Sequence, residues 1–321
     1  MKVITLTLCP AFDLHADCAD FAAGRENAVR VTSRHAGGKG VNISRALMAC
    51  GTDSLAVVVL GRENGDDFSR ALLQDRLCFE AIALDGRIRE NLTVHAADGC
   101  ETRISFPGFA ADATLPGRVL TLLQDKLTPD TVLTLTGRLP EGVDMTAVHD
   151  FLEQMAARGV RVVIDSGSFS LSDLTRARPY LIKPNAQEIS AYLGRPVSTF
   201  SDVADAAREL VAGGIENVMI SLGEQGALLC CAQGCFVATP PAVTPLSTIG
   251  AGDSAIAGFL HAAGRGLPPA DCLAHAVALG TAACMTPGTR PPRARDFTAL
   301  LPQICVRTKI KGDTGDKQHD K

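Results

Sequence analysis

Short apolar segments alternate with amphipathic segments along most of the chain, and this alternation restricts the fold more than any other feature. Predicted strands lie at 3–8, 55–60, 132–136, 160–165, 180–183 and 218–222. Several are apolar at nearly every position, as in strands buried on both faces of a parallel sheet. Between two of them, Val203, Ala207 and Leu210 have helical spacing before Gly213-Gly214, which predicts a helix with a glycine C-cap. The pattern predicts an α/β fold with right-handed crossovers.

Two stretches, about 10–35 and 85–110, lack helical periodicity. In the second, two alternating segments flank Asp98-Gly99, a dipeptide typical of hairpin turns. We therefore expect these stretches to form a small second sheet within a single domain covering residues 1–307. The final residues, 308–321, are polar and charged without apolar periodicity, which predicts a disordered tail.

The charge balance and the cysteine content exclude several classes of protein. The 31 Lys and Arg against 35 Asp and Glu give a formal net charge of −4, so we expect no general binding to nucleic acid or anionic membranes. No apolar run is long enough to span a bilayer or to form a signal peptide, which predicts a soluble, cytoplasmic protein. The 11 cysteines lack the paired spacing of a zinc site and are predicted to be reduced and to act as small apolar residues.

The run Gly250-Ala251-Gly252-Asp253 precedes an apolar segment with helical spacing. Glycines at a helix N-terminus let a ligand approach the backbone, and the free N–H groups there bind anions. Asp253 falls in the first turn, where it either caps the helix or deprotonates a hydroxyl beside a bound phosphate. The spacing alone leaves both interpretations open.

A second glycine-rich segment contains Gly38, Lys39 and Asn42 and also leads into a helical pattern. Its spacing matches neither a P-loop nor a dinucleotide-binding motif. Taken alone, Lys39 also fits a solvated surface lysine.

Two further motifs follow predicted strands. Asn185 and Glu188 come shortly after Lys183, and because they are three residues apart they share one face of a helical turn. They either cap a helix or hold Mg²⁺ through water near a polyphosphate, and the residues alone favour capping. Residues 221–227 predict a strand, a turn and a strand, with a backbone open to a ligand.

Together and in this order, the motifs resemble those of the PfkB/ribokinase family of carbohydrate kinases. The resemblance extends from Thr5 to about Arg290 and is greatest for the branch of phosphofructokinases and tagatose-6-phosphate kinases. It implies a ribokinase-like three-layer sandwich with a mostly parallel central sheet and a small β-sheet lid. It also implies a homodimer that pairs through the lid.

The resemblance implies roles in the chemistry and in nucleotide binding. Asp253 matches the catalytic base of the family. Its anion hole is matched by Gly250, Ala251 and Gly252. Asn185 and Glu188 match a motif that arranges Mg²⁺ and the phosphates of ATP. The nucleotide-contacting positions are matched by Lys183, Asn185, Ser221, Gly223 and Gly226.

The resemblance also implies the sugar side of the site, which is matched by Asp13, Gly38, Lys39 and Asn42. The substrate phosphate is assigned to Arg89 and Arg103 on the lid. Two positions depart from this branch, because Cys9 replaces its usual Asn and Arg138 replaces a small polar residue. Arg138 either strengthens phosphate binding through bidentate contacts or crowds the site and changes the preferred sugar.

These implications predict phosphorylation of a ketohexose phosphate with MgATP. Fructose 1-phosphate, giving fructose 1,6-bisphosphate, is favoured because of Lys39 in the Gly-Gly-Lys-Gly segment. Tagatose 6-phosphate and fructose 6-phosphate are the nearest alternatives, followed by an unphosphorylated sugar. A non-catalytic sensor of sugar phosphates or nucleotides on the same fold is the alternative of a different class.

Overall fold

The computed structural model describes residues 1–309. By its internal contacts the chain divides into two compact units. The N-terminal unit comprises Lys2–Arg45 and Asp53–Val160, and the C-terminal unit comprises Met1, Ala46–Thr52 and the described residues from Arg161 onward. None of the described helices is long and apolar enough to cross a membrane.

From Lys2 to Val160 the chain forms eight strands and four helices. In order they are β1 (Lys2–Thr7), β2 (Ala11–Cys18), β3 (Arg30–Gly37), α1 (Lys39–Ala49), β4 (Ser54–Gly61), α2 (Gly65–Gln74), β5 (Phe79–Leu84), β6 (Arg89–Ala96), β7 (Glu101–Ser105), α3 (Leu115–Leu123), β8 (Thr131–Thr136) and α4 (Met145–Ala157). Strands β5, β4, β1 and β8 lie side by side in that order, all parallel. β1 and β8 are buried almost throughout, and apart from Lys2 both consist only of aliphatic residues and Thr.

The small sheet belongs to the same unit and has the order β3-β2-β6-β7. Its strands come from the two stretches without helical periodicity, so this prediction is confirmed. β6 and β7 form the predicted hairpin, with Gly99 at a φ of 86° in the turn. β2 and β6 pair in parallel. The rings of Phe12 and Phe68, 5.2 Å apart, join the sheet to α2.

From Arg161 onward the described chain forms six strands and six helices. In order they are β9 (Arg161–Asp165), α5 (Leu171–Ala177), β10 (Leu181–Ile182), α6 (Ala186–Leu193), α7 (Phe200–Ala212), β11 (Asn217–Ser221), β12 (Ala227–Cys231), β13 (Gly234–Thr239), α8 (Ala251–Gly264), α9 (Pro269–Cys284), α10 (Ala294–Leu300) and β14 (Cys305–Lys309). Short 3₁₀ turns lie at Gly223–Gln225 and Leu301–Gln303. β9, β10 and β11 are parallel, and β12, β13 and β14 continue the sheet antiparallel. The predicted α/β class, with a mostly parallel sheet and a separate small one, is confirmed.

Helix α7 shows how the local sequence determines an element. Thr199 and Asp202 form a capping box at its N-terminus, which satisfies free N–H groups of the first turn. Val203, Ala207 and Leu210 are buried where α7 packs against β11 and β12. Burial of each large apolar side chain contributes about 1.5–3 kcal/mol relative to exposure.

Two predictions need amendment. Cys230 and Cys235 form a disulfide, so the prediction that all cysteines are reduced is wrong for this pair. The two residues lie directly opposite each other on β12 and β13, joined by a two-residue turn. Separately, β14 includes Thr308 and Lys309, the first two residues of the predicted tail, and residues 310–321 lie outside the described part of the chain.

Candidate functional site

The first turn of α8 holds one group of predicted site residues. Gly250 is the N-cap and has a φ of 82°, a left-handed conformation that favours glycine. Asp253 lies three positions inside the helix and is only 6% exposed. First-turn N–H groups have no carbonyl partner within their helix, and the helix dipole is positive there. The turn from Gly250 to Asp253 therefore has the chemistry of an anion site.

Lys183 contacts this turn from the end of β10. Its side chain is 8% exposed, and a Cβ placed on Gly252 would lie 2.9 Å from Nζ and 3.0 Å from Cε. A side chain at position 252 would therefore displace the ammonium group. A buried ammonium beside the positive end of a helix needs a negative partner. The donors at this place fit the phosphate chain of a nucleotide.

Asn185 and Glu188 form the capping box of α6. The side chain of Asn185 accepts from Glu188 N at 2.9 Å, and Glu188 Oε2 accepts from Asn185 N at 2.8 Å. The capping arrangement that the residues alone favour is thus present. Glu188 Oε1 takes no part in the box, so the same carboxylate has an oxygen for a water bound to Mg²⁺.

The loop after β11 lies beside this capping box. Ser221 bridges to Asn185, and its N–H donates to the carbonyl of Pro184 at 3.1 Å. Gly223 and Gly226 then turn the chain into β12 with φ values of 62° and 94°. The loops after β10 and β11 and the N-terminus of α8 make up what we call the C-terminal cluster: Lys183, Asn185, Glu188, Ser221, Gly223, Gly226 and Gly250–Asp253.

The predicted sugar-side residues lie in the N-terminal unit around Asp13 on β2. Its carboxylate is 18% exposed and accepts a hydrogen bond from Asn91 Nδ2 at 2.9 Å. Arg103 lies 3.9 Å from the same oxygen, Oδ1. A Cβ on Gly37 would lie 2.5 Å from Oδ2, so the backbone of Gly37 packs closely against this second carboxylate oxygen. The carboxylate is therefore held in one position by three neighbours.

Gly38, Lys39 and Asn42 lie where β3 leads into α1. Gly38 has a φ of 136°, and a Cβ there would lie 2.5 Å from Thr7 Cγ2. Lys39 is the first residue of α1, and Asn42 follows within its first turn. Both side chains are half-buried. With Asp13, Asn91, Arg89 and Arg103, these residues make up what we call the N-terminal cluster.

The remaining predicted positions differ in exposure. Arg89 begins β6, and its Nε is buried without a hydrogen-bond partner among the described residues. Arg138 is exposed on the loop after β8, and Gly137, just before it, lies beside Lys39. Cys9 is half-buried in the loop after β1.

Sequence reasoning missed several polar residues of the small sheet. Besides Asn91, His15 Nδ1 lies 3.0 Å from His95 Nε2, and His95 Nδ1 lies 3.0 Å from Glu101 Oε1. Burial, and then the neighbouring His95, lower the pKa of His15. Alternation along β2 and β6 puts these residues on the face of Asp13. The alternation is visible in the sequence of each strand, but the pairing of β2 with β6 that brings the residues together is not.

The chain belongs to the pfkB family of carbohydrate kinases, whose family pattern it matches over residues 3–295. The 1-phosphofructokinase of Escherichia coli strain K12 is 34% identical over 281 residues, which cover 88% of this chain and 89% of that protein. The 1-phosphofructokinase of Rhodobacter capsulatus is 33% identical over 312 residues, covering 96% and 98%.

Solved structures agree with the family. The crystal structure of phosphofructokinase-2 from Escherichia coli in complex with fructose-6-phosphate has a TM-score of 0.86 at 27% identity, covering 94% of this chain and 98% of that one. The predicted family, ribokinase-like fold and kinase class are confirmed.

Proposed function

We propose that this chain transfers the terminal phosphoryl group of ATP to a hydroxyl of fructose 1-phosphate, giving fructose 1,6-bisphosphate. The observation that carries the proposal is the first turn of α8. There a buried carboxylate, Asp253, lies on a helix N-terminus that also contacts the buried Lys183. The substrate is supported by relatives named 1-phosphofructokinase that match over most of the chain.

Asp253 takes the proton of the acceptor hydroxyl while the hydroxyl oxygen attacks the terminal phosphorus atom of ATP. The bond from that phosphorus to the bridging oxygen breaks, and ADP leaves with the bridging oxygen. A positioned general base contributes about 10²- to 10⁴-fold to a rate. The N–H groups from Gly250 to Gly252 and the helix dipole stabilise the negative charge on the transferred oxygens. Most of the remaining acceleration comes from positioning of the two substrates.

The rest of the C-terminal cluster serves the nucleotide. Lys183 pairs with a phosphate, and Asn185 and Glu188 would hold Mg²⁺ through water. When bound, Mg²⁺ neutralises phosphate charge. The open backbone of the neighbouring loop contacts the nucleotide at Ser221, Gly223 and Gly226.

The N-terminal cluster serves the sugar phosphate. The hydroxyl groups of the sugar are oriented by Asp13, Gly38, Lys39 and Asn42. The phosphate is held by Arg89, Arg103 and Arg138. Guanidinium groups bind phosphate oxygens in pairs of parallel hydrogen bonds, and the buried Nε of Arg89 is a donor without a partner among the described residues.

Other substrates remain alternatives. Fructose 6-phosphate is supported by the structural similarity to phosphofructokinase-2 in complex with that sugar. Tagatose 6-phosphate and an unphosphorylated sugar follow. A non-catalytic sensor is disfavoured because Asp253, Asn185 and Glu188 are all present.

We also propose that the small sheet is a lid that excludes water and pairs with a second copy of the chain in the cytoplasm. Val31 and Ile104, on the face opposite Asp13, are 52% and 39% exposed, and a second copy would cover them. Light scattering that finds only monomer at micromolar concentration contradicts this pairing.

The test is an ADP-release screen across fructose 1-phosphate, fructose 6-phosphate, tagatose 6-phosphate and free hexoses. We expect the highest kcat/KM for fructose 1-phosphate. We expect Asp253→Asn to lose about 10²- to 10⁴-fold in kcat while its affinity for ATP stays unchanged. A variant with nearly wild-type kcat rules out the role of Asp253. No turnover of any sugar by the wild type favours the sensor.

A further inference from the structure

A histidine is buried in the last turn of α8, at the opposite end of that helix from the candidate anion site. His261 is 8% exposed. Its ring lies beside those of His275 on α9 and Phe297 on α10, at centroid distances of 5.7 and 6.1 Å. All three residues belong to the C-terminal unit. Because histidine changes its charge near neutral pH, its burial makes this part of the structure sensitive to pH.

The contacts of His261 fix its protonation state. Nδ1 lies 2.7 Å from the hydroxyl oxygen of Thr52, in the turn after α1, and Nε2 lies 3.4 Å from Nη1 of Arg265. A guanidinium group only donates hydrogen bonds, so Nε2 must be the acceptor and carry no hydrogen. The hydrogen of the neutral ring is then on Nδ1 and is donated to Thr52. His261 therefore connects the end of α8 to the turn after α1 as a neutral side chain.

An additional proton on His261 has no favourable position. It would turn Nε2–H toward Nη1 of Arg265, so that two donors and two positive charges face each other. Burial, followed by the charges of His275 and Arg265, lowers the pKa of His261. No carboxylate among the described residues offsets these charges. The dipole at the C-terminus of a helix favours a positive charge, but here only the neutral ring keeps both contacts.

We propose that His261 is a pH-sensitive lock, which holds the end of α8 to the turn after α1 when the ring is neutral and releases it when the ring is protonated. In the unfolded chain a histidine takes up its proton near pH 6.5. The folded chain resists this proton, so below about pH 6.5 the unfolded state binds more protons and stability falls. The contribution of the lock is complete above about pH 6.5 and is lost as the pH falls through the lower pKa of His261 in the folded chain.

The first test is a histidine titration by NMR. We expect the ring signal of His261, identified by its absence from His261→Asn, to titrate with a midpoint below about 6.5. Arg265→Gln removes the facing charge and should raise that midpoint. Arg158→Gln is the matched control, because Arg158 is likewise the C-cap residue of a helix, α4, and should leave the midpoint unchanged.

The second test measures the effect on stability by thermal unfolding. His261→Asn keeps an N–H donor for the hydroxyl of Thr52 but cannot be protonated. Between about pH 7.5 and about pH 5.5, we expect Tm of the wild type to fall by about 2 °C more than that of His261→Asn, which corresponds to about a fivefold change in the ratio of folded to unfolded protein. The other histidines titrate in both proteins, so their effects cancel in this difference.

The inference is overturned by a wild-type midpoint for His261 at or above about 6.5, or by an Arg265→Gln protein with an unchanged midpoint. Equal falls in Tm for the wild type and His261→Asn also overturn it. If His261→Asn does not fold, the wild-type midpoint still decides, because the signal of His261 can be assigned through its proximity to the ring of Phe297. Neither test uses the kinase reaction, so failure of the proposed function leaves both results unaffected.

Discussion

The capping box of α6 allows a test that separates a structural from a metal-binding role of Glu188. Glu188→Gln keeps the length of the side chain, and an amide oxygen can accept the hydrogen bond from the Asn185 N–H as the carboxylate does. Capping is therefore retained. Only the negative charge is lost.

A structural role and a metal-binding role of Glu188 predict different effects, one on stability and the other on Mg²⁺ affinity. Loss of a charge at a helix N-terminus costs about 0.3–1 kcal/mol. Because 1 kcal/mol lowers Tm by about 2–4 °C in a chain of 150–250 residues, the fall in Tm should stay below about 4 °C in this larger chain. Loss of a carboxylate that holds Mg²⁺ through water should weaken the apparent Mg²⁺ affinity about 10- to 100-fold.

The assay is ADP release at fixed ATP as free Mg²⁺ is varied, together with thermal unfolding. Asp202→Asn is the matched control, because Asp202 and Thr199 form the same kind of capping box on α7, with bonds of 2.9 and 3.2 Å. That control should show an unchanged Mg²⁺ midpoint. A Glu188→Gln enzyme with the same midpoint as the control would refute the metal role and leave Glu188 as a cap.

Two further predictions concern packing and phosphate binding. A Cβ on Gly258 of α8 would overlap the carbonyl oxygen of His275 and lie 2.8 Å from its carbonyl carbon. Gly258→Ala should therefore push α8 away from α9 and lower the free energy of unfolding by about 1–3 kcal/mol, as measured by thermal unfolding. Gly117→Ala in α3, with nothing within 4 Å, should instead stabilise by up to about 1 kcal/mol, and equal effects of the two changes would contradict this reasoning. Arg89→Ala and Arg103→Ala should each raise KM for fructose 1-phosphate at least about 10-fold in the ADP-release assay. Unchanged KM values would favour an unphosphorylated sugar.

Much of the fold follows from the sequence because burial leaves a clear pattern. β8 is buried at all six positions and is apolar or Thr throughout, so its place in a parallel sheet could be predicted. The sequence pattern does not predict β5 or β14. β5 is half-buried at the end of its run of parallel strands, so its burial pattern is weak. β14, from Cys305 to Lys309, is largely polar. The disulfide was missed because only the register of β12 on β13 sets Cys230 opposite Cys235.

The residues of the candidate site also differ in how far local sequence predicts them. Gly250–Asp253 and Asn185–Glu188 lie at helix N-termini, which local sequence marks through glycines and capping residues. Asn91 and His95 become site candidates only when β6 pairs with β2. At this pairing, Asn91 contacts Asp13, which lies 78 residues earlier in the sequence. No local pattern specifies such a pairing.

The parallel pairing of β2 with β6 also has a consequence for how the chain acquires its structure. As the polypeptide is synthesised, β2 and β3 emerge early and form at most an isolated hairpin, which is marginally stable in water. Their third strand arrives only after β4, α2 and β5. Contacts so distant in sequence form slowly, because the entropy of closing the intervening loop is lost first. We expect the face of the small sheet that carries Asp13 to be among the last parts to order. A synthetic peptide of residues 10–35 should therefore not adopt its structure.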